Sequence, residues 1–188
     1  MLASTSPYRR ALLSRLGTPF AVESPRVDET RWPGEAPEAL VRRLSRAKAA
    51  AVAERHPGAL VIGSDQVAVL DGEPVGKPGD HDRAAAQLRR ASGRRLEFLT
   101  GLCLLEADQG REWLEAVPFA VEFRPLSEAM IQRYLEREKP YDCAGSFKSE
   151  GLGIVLFERL AGEDPTALMG LPLIRLIRML EAAGWPVL

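Results

Sequence analysis

The sequence has only two cysteines, Cys103 and Cys143, and only two histidines, His56 and His81. Two well-separated cysteines are too few for a disulfide framework, and they lack the close pairing of a zinc site. Two histidines cannot build a histidine-rich metal centre, and neither lies in a motif typical of a Ser-His-Asp triad. We therefore expect any hydrolytic chemistry to depend on carboxylates, lysines and arginines, together with a hard metal ion.

A basic excess and a long apolar run are also missing. Lys+Arg is 25 and Asp+Glu is 26, which gives a net charge of -1, whereas proteins that bind nucleic acid regardless of sequence are normally basic. No apolar run approaches the roughly 20 residues that cross a bilayer, and the first residues do not resemble a signal peptide. We expect a cytoplasmic protein that binds neither nucleic acid nor a membrane.

The length and the hydrophobic pattern predict a single α/β domain over residues 1–188. The predicted helices cover residues 6–16, 38–55, 80–91, 127–137 and 173–183. The predicted strands cover residues 20–24, 59–63, 96–106, 113–123 and 154–160. Hairpins at 96–123 and around Asp71-Gly72 add antiparallel pairs. The central sheet should therefore be mixed, partly antiparallel and flanked by helices.

The segment Ala-Ser-Thr-Ser-Pro-Tyr-Arg-Arg at 3–10 has features of an anion-binding site. Ser6 is a favourable N-cap, and Pro7 is a favourable first helical residue. Free backbone N–H groups and the helix dipole attract anions at such a helix start, where Arg9 and Arg10 can reach phosphate oxygens. A capped helix with solvated arginines would have the same sequence, so both interpretations remain open at this point.

Carboxylates occur at two places where a metal ion could bind. Asp65 follows the apolar run 59–63, and the carboxyl ends of buried strands are where open α/β sheets bind ligands. A carboxylate there can hold Mg²⁺ or accept a proton from water. Asp28 and Glu29 form an adjacent acidic pair in a polar loop. A solvated strand end and a solvated loop are the alternatives.

Two glycine-containing segments carry further charged residues. Lys77 lies in Gly-Lys-Pro at 76–78, which is not a Walker phosphate loop because the spacing is one residue short and proline follows the lysine. Glu150 lies in the segment 143–151, whose small residues let the backbone approach a ligand. Together, the phosphate donors, the acids and a possible base indicate metal-assisted attack of water on a phosphoanhydride.

Five motifs follow one another along the chain: the segment at 3–10, Val-Asp-Glu-Thr at 27–30, Ala-Lys-Ala at 47–49, Gly-Ser-Asp-Gln-Val at 63–67 and Gly-Lys-Pro at 76–78. With these motifs the chain resembles the Maf-type nucleotide pyrophosphatases, relatives of the inosine-triphosphate pyrophosphatases. The resemblance covers nearly the whole chain. It implies the fold of the inosine-triphosphate pyrophosphatases and cleavage of a nucleoside triphosphate between the α and β phosphates, with a divalent metal such as Mg²⁺ or Mn²⁺.

The resemblance also implies a role for each matching residue. Asp65 falls on the general base of the family, or on a metal ligand, and Glu29 falls on an acid that helps to hold the metal. A homodimer is implied as well. The phosphate-binding positions of the family fall on Arg9, Arg10, Lys48 and Lys77, and Ser4 is a further substrate-binding position.

Three positions favour the branch of the family that hydrolyses 7-methyl-GTP. Members that act on UTP and dTTP have arginine, threonine and glutamine where this chain has Tyr8, Gln66 and Glu150. A carboxylate at Glu150 can accept both the N1–H and the N2 amino donors of guanine, whereas glutamine offers one acceptor oxygen. Methylation at N7 makes the ring cationic, so an aromatic side chain such as Tyr8 or Phe147 can stack on it.

Other functions remain as alternatives. The same fold could act on UTP, dTTP or other modified nucleotides, or the chain could be a non-catalytic regulator of septum formation. The combination of Glu29, Asp65 and Lys77 favours an enzyme, because a pure binding module would not need all three. An RNA module that recognises caps is disfavoured by the charge balance and by the small number of aromatic residues, 6% of the chain.

Overall fold

The computed structural model describes residues 1–188 and contains five α-helices and seven β-strands. The helices are α1 (Pro7–Ser14), α2 (Pro37–Ala53), α3 (His81–Ala91), α4 (Glu128–Glu138) and α5 (Leu173–Ala182). The strands are β1 (Leu2–Ala3), β2 (Val22–Glu23), β3 (Leu60–Leu70), β4 (Glu73–Val75), β5 (Arg95–Glu106), β6 (Arg111–Phe123) and β7 (Phe157–Ala161). None of the helices combines the length and the hydrophobicity that a membrane span requires.

The strands form one mixed sheet. Its order is β2-β1-β3-β5-β6-β7, and β4 pairs with β3 outside this order. β1 pairs in parallel with both β2 and β3, so that Leu2 lies opposite Ile62 and Ala3 lies opposite Gly63. The pairs β3–β4 and β6–β7 are antiparallel. The predicted α/β fold with a mixed, partly antiparallel sheet and flanking helices is therefore confirmed.

The chain divides into two compact units. The first comprises residues 1–66, 99–117 and 164–188, and the second comprises residues 67–98 and 118–163. The core of the first unit is aliphatic and includes Leu2, Leu12, Ile62, Leu102 and Leu176. All of the predicted site residues except Lys77 and Glu150 belong to this first unit.

Four phenylalanine rings pack together in the core of the second unit. Phe147 lies edge-to-face against Phe98, Phe123 and Phe157, at ring-centroid distances of 5.5, 5.7 and 4.8 Å. The Phe147 side chain is buried in this cluster, and edge-to-face contacts of this kind stabilise a core. The expectation that Phe147 can stack on a bound base is therefore wrong, because its ring is occupied by core packing.

The strand predicted over 59–63 is longer than expected. It continues to Leu70 as β3, so Asp65 lies within the strand and not after its end. The parallel neighbour β1 stops at Ala3, opposite Gly63. Asp65 consequently still lies just beyond the carboxyl end of the β1–β3 pairing, the location that the ligand-site argument requires.

The strand predicted over 154–160 begins too early. Its first three residues belong to a 3₁₀-helix, Leu152–Leu156, and β7 starts only at Phe157. The reason is that β6 ends at Phe123, which is the residue opposite Phe157. Residues before Phe157 consequently have no strand with which to pair, and their apolar character alone does not make a strand.

Candidate active site

The start of α1 is built as the sequence predicts. Ser6 caps the helix, because its Oγ accepts a hydrogen bond from the backbone N–H of Arg9 at 3.4 Å, and Pro7 occupies the first turn. Ser4 is buried, and its Oγ accepts a hydrogen bond from the Ser6 backbone N–H at 3.1 Å. The predicted helix start is confirmed, whereas its binding of phosphate stays a prediction.

Three of the predicted site residues meet at the ammonium group of Lys48. Lys48 Nζ lies 2.6 Å from Asp65 Oδ1 and 2.8 Å from Glu29 Oε1. Lys48 and Asp65 are only 5% and 8% exposed, whereas the Glu29 side chain is 59% exposed. A buried ammonium needs carboxylate partners to offset its lost hydration. The cluster therefore brings two carboxylates to one cation, with solvent access on the Glu29 side.

Close packing of α2 against β3 and β5 brings Lys48 to the sheet. A Cβ atom on Gly63 would lie 2.1 Å from the carbonyl oxygen of Ser45. A Cβ atom on Gly101 would lie 2.2 Å from the carbonyl oxygen of Val41. Only glycine lets a helix backbone approach strands this closely. Since Ser45 precedes Lys48 by nearly one helical turn, the lysine side chain leaves α2 next to β3.

Arg9 extends the positive charge of this site. Its Nε donates a hydrogen bond to the carbonyl oxygen of Gly170 at 2.7 Å, and Ser64 Oγ lies 2.8 Å from the same oxygen. Burial lowers the pKa of Arg9, and the charges of Asp65 and Glu29 oppose this shift. The guanidinium thus lies in the field of both carboxylates. Its two terminal nitrogens remain as donors for an anion.

Gln66 is fixed through its amide nitrogen. Gln66 Nε2 donates to the Ala167 carbonyl oxygen at 2.7 Å and to Thr100 Oγ1 at 2.9 Å. Thr100 Oγ1 donates in turn to the same Ala167 oxygen at 2.9 Å. This arrangement leaves Gln66 Oε1 as an oriented hydrogen-bond acceptor. The predicted part of Gln66 in reading the base stays a prediction.

The remaining predicted residues differ in exposure and location. Tyr8 is half-buried and Arg10 is exposed, both on α1. Lys77 is exposed between β4 and α3, and Glu150 is exposed in the segment that follows α4. Lys77 and Glu150 belong to the second unit, and Asp65 belongs to the first. Their roles in binding phosphate and base consequently stay predictions.

The acids at Lys48 have the chemistry of a partial metal site. No group of three or more His, Cys, Asp or Glu side chains in the structure could hold a metal ion. Asp65 and Glu29 nevertheless offer two carboxylates, and Mg²⁺ is commonly bound by one or two carboxylates, water molecules and substrate phosphates. The pair fits an ion that arrives with a triphosphate and does not fit an ion held by protein ligands alone.

Comparison with known proteins places this chain in a family. The family model described as "Maf-like protein" matches residues 1–183. The chain belongs to the Maf family. A relative of this Maf-family chain from Nitrosococcus oceani, named 7-methyl-GTP pyrophosphatase, is 57% identical over 188 residues, which are 100% of this chain and 94% of the relative.

Two Pseudomonas proteins are also close relatives of this Maf-family chain. They come from Pseudomonas syringae pv. tomato and Pseudomonas aeruginosa, and both are named 7-methyl-GTP pyrophosphatase. Each is 58% identical over 184 residues, which are 98% of this chain and 96% of the relative. The recognised resemblance to the Maf family is therefore confirmed over the full length of the chain.

Sequence reasoning missed three residues that support the site of this Maf-family chain. The Gly170 carbonyl oxygen accepts from Arg9, Ser64 donates to that same oxygen, and Thr100 accepts from Gln66. Thr100 carries no local signal, because it meets Gln66 only when distant parts of the chain fold together. Gly170 begins the segment Gly-Leu-Pro-Leu at 170–173, which also matches the family. Ser64 lies inside the Gly-Ser-Asp-Gln-Val motif, and its place next to Asp65 in that motif is the signal that marks it.

Proposed function

We propose that this Maf-family chain hydrolyses 7-methyl-GTP to 7-methyl-GMP and diphosphate. The observation that carries the proposal is the cluster of Lys48, Asp65 and Glu29, which lies in the field of Arg9. Such a set of charges suits the cleavage of a phosphoanhydride. Relatives that match nearly the whole chain are named 7-methyl-GTP pyrophosphatases. The chain is accordingly a hydrolase that acts on acid anhydrides.

Asp65 accepts the proton of the attacking water in this proposal. Lys48 engages Oδ1 at 2.6 Å, so its charge stabilises the carboxylate while Oδ2 remains available as a proton acceptor. The water oxygen forms a bond to the α-phosphorus, and the bond from that phosphorus to the bridging oxygen breaks. Diphosphate leaves, and the nucleoside monophosphate keeps the new oxygen.

Cations from several elements neutralise the triphosphate. The terminal N–H groups of Arg9 and the start of α1 bind phosphate oxygens, and the exposed side chains of Arg10 and Lys77 add positive charge. Ser4 contributes by its hydrogen bond to the Ser6 backbone, which shapes the turn before the helix. Neutralisation and positioning are the main requirements of phosphoryl transfer.

Glu29 and Asp65 are the carboxylates that would hold a divalent cation, Mg²⁺ or Mn²⁺. Such an ion, when bound with the triphosphate, supplies positive charge against the charge that develops on the phosphate oxygens. Lys48 holds the two carboxylates near one another because it bonds to both. Both carboxylates are thus placed together by contacts within the protein.

Glu150 is the proposed reader of guanine. Its carboxylate can accept the two adjacent N–H donors of the base, and its charge complements the cationic 7-methyl ring. Tyr8 supplies an aromatic face, and Gln66 supplies the oriented Oε1 acceptor. Uracil and thymine present one donor between two acceptors, so a carboxylate would leave acceptors of the base unpaired.

A substrate panel tests the proposal. The measurement is diphosphate release from 7-methyl-GTP, GTP, UTP and dTTP, with Asp65→Asn as the control for contaminating activity. We expect the highest kcat/KM on 7-methyl-GTP. A preference for UTP or dTTP would assign the chain to pyrimidine nucleotides. Release from no substrate would instead support a non-catalytic regulator.

Metal dependence is tested in the same assay. EDTA should abolish diphosphate release, and excess Mg²⁺ or Mn²⁺ should restore it. Glu29→Gln should raise the metal concentration needed for half-maximal rate, because one charged ligand is lost. Full activity in EDTA would show that the carboxylates at Lys48 serve another purpose.

A further inference from the structure

Glu29 reaches Lys48 from a segment without regular structure. Residues 24–36 contain no helix or strand, and more than half of the Glu29 side chain is exposed. An exposed ion pair by itself contributes little and would not hold a loop in place. The contact between Glu29 Oε1 and Lys48 Nζ at 2.8 Å therefore requires another anchor for this loop.

Arg43 of α2 provides that anchor. Its Nε lies 2.6 Å from Glu35 Oε1, and one terminal nitrogen lies 2.8 Å from Glu35 Oε2. The same terminal nitrogen donates to the Thr30 carbonyl oxygen at 3.0 Å. The guanidinium carbon also lies 4.1 Å from the centroid of the Trp32 ring. One side chain therefore contacts the loop at three positions that follow Glu29 within six residues.

Glu35 is the loop residue whose carboxylate accepts the hydrogen bonds from Arg43. Its side chain is only 6% exposed, and its Oε2 also accepts the backbone N–H of Trp32 at 3.2 Å. Arg31 closes the turn by donating to the Glu35 carbonyl oxygen at 2.9 and 2.7 Å. A bidentate arginine–carboxylate pair fixes orientation as well as distance. The loop is thus closed on itself and is attached to α2 through Arg43 as well as through the contact of Glu29 with Lys48.

Arg43 and Lys48 lie on the same helix, so α2 sets the distance between the two anchors of the loop. We propose that Arg43 is a positioning residue that holds the loop 28–35 against α2 and thereby places Glu29 at Lys48. In this proposal Arg43 acts through Glu29, because its Nε and one terminal nitrogen are engaged by the loop. The catalytic consequence rests on the proposed function, whereas the anchoring of the loop does not.

Hydrogen exchange of the loop amides tests the anchoring without any assay of activity. Arg43→Ala should speed amide exchange in residues 28–35 by at least about tenfold, because the hydrogen bonds that oppose local opening of the loop are lost. Arg43→Lys should also speed exchange, since an ammonium group retains the charge but lacks the planar pair of donors that binds both carboxylate oxygens. Arg46→Ala is the matched control. Arg46 lies on the same helix as Arg43 and forms a bidentate pair with Glu112. Loss of that pair should leave the exchange rates of the loop amides unchanged.

A double-mutant cycle tests the connection to Glu29. Arg43→Ala alone should lower kcat/KM for the best substrate of the wild type by about ten- to a hundredfold, the value of lost charged hydrogen bonds. In a Glu29→Gln background the same change should cost less than about threefold, because the residue through which it acts is already impaired. Equal losses in both backgrounds would mean that Arg43 contacts substrate, and the proposal would be wrong.

The two measurements keep the proposals separate. If the wild type hydrolyses no nucleotide, the proposed function fails while the exchange experiment still decides whether Arg43 anchors the loop. Unchanged exchange in Arg43→Ala, or wild-type exchange in Arg43→Lys, overturns the inference regardless of activity. Should Arg43→Ala fail to fold, Glu35→Gln serves instead, because it keeps the side-chain size and removes the charge and one acceptor oxygen.

Discussion

Lys48 and Asp65 form a buried ion pair in which Nζ lies 2.6 Å from Oδ1. The pair joins α2 to β3. Since both side chains are almost removed from water, each charge depends on the other. Glu29 provides the second carboxylate at 2.8 Å. Loss of Asp65 therefore leaves Lys48 with a partner, whereas loss of Lys48 leaves the two carboxylates without the ammonium group that bonds to both.

Asp65→Asn should abolish most activity and preserve the fold. We expect turnover to fall by at least about two orders of magnitude, because an amide neither accepts a proton from water nor binds a cation as a carboxylate does. The change is nearly isosteric, and Glu29 continues to pair with Lys48. Diphosphate release and thermal unfolding should be measured together. Near-normal turnover in a folded Asp65→Asn protein would contradict the role of Asp65.

Lys48→Met should lower the free energy of unfolding and should also lower the activity. Removing one partner of a buried pair leaves an uncompensated charge, which typically costs about 3 kcal/mol or more in the free energy of unfolding. Lys48→Met combined with Asp65→Leu should recover much of that stability, because no buried charge remains, yet it should stay inactive. Urea unfolding measures the first effect. Equal stability of Lys48→Met and wild type would show that water reaches the pair.

Gly63→Ala should displace α2 from the sheet. The added Cβ would lie 2.1 Å from the Ser45 carbonyl oxygen and 2.8 Å from the Ala49 backbone nitrogen. Because both contacts are backbone, the helix must move, and overpacking of this kind costs about 1–3 kcal/mol in the free energy of unfolding. Gly76→Ala is the control for stability, since nothing lies within 4 Å of its Cβ position. Similar unfolding curves for the two variants would be evidence against tight packing at Gly63.

The parts of the fold that depend on neighbouring residues could be predicted from the sequence. The start of α1 at Ser6 and Pro7 is an example, because a cap and its helix are adjacent in the chain. The meeting of Lys48 with Asp65 could not be derived from local pattern. It depends on the close approach of α2 at Gly63, and the motif resemblance alone indicated that both residues belong to one site.

Packing in three dimensions also explains the sequence predictions that were wrong. Phe147 has an aromatic side chain that could stack on a base, but its position among Phe98, Phe123 and Phe157 makes it a core residue. Nothing in the loop sequence 28–35 identified Arg43 as its anchor, since the contact joins the loop to a helix that begins after it. Side chains of the same chemistry thus take different roles according to contacts that only the fold determines.

Glu128 should make the stability of the fold depend on pH in acid. Hydrogen bonds from Arg89 and Gln132 lower its pKa from 4.5 to about 2. The folded state therefore binds this proton less tightly than the unfolded chain, so the contact stabilises the fold above pH 4.5 and is lost as the pH falls toward 2. Glu128→Gln should reduce the change of the thermal unfolding midpoint with pH over that interval. The reduction should be modest, because the ion pair with Arg89 is exposed. Glu136→Gln, an exposed change on the same helix, should keep the wild-type slope.

Glu150→Gln should change which base the enzyme prefers. The substitution removes one acceptor and the charge that favours a cationic ring, and a lost charged hydrogen bond is worth about 1.5–3 kcal/mol, or about ten- to a hundredfold in kcat/KM. The segment that carries Glu150 is held by α4, where Tyr134 Oη accepts the Lys148 backbone N–H at 3.1 Å and Glu138 Oε2 accepts the Leu152 backbone N–H at 2.7 Å. Since these contacts are to backbone, Glu150→Gln should alter the side chain without moving the segment.

The loss in Glu150→Gln should be larger for 7-methyl-GTP than for GTP, because only the methylated ring carries the matching charge. UTP should not lose efficiency, since its base gains nothing from a carboxylate at this position. All three substrates should be measured on wild type, on Glu150→Gln and on Glu158→Gln, which makes the same chemical change at an exposed glutamate of β7. An equal loss for the three nucleotides in Glu150→Gln would mean that Glu150 does not read the base, because an effect on phosphate binding or on the fold would be common to all of them.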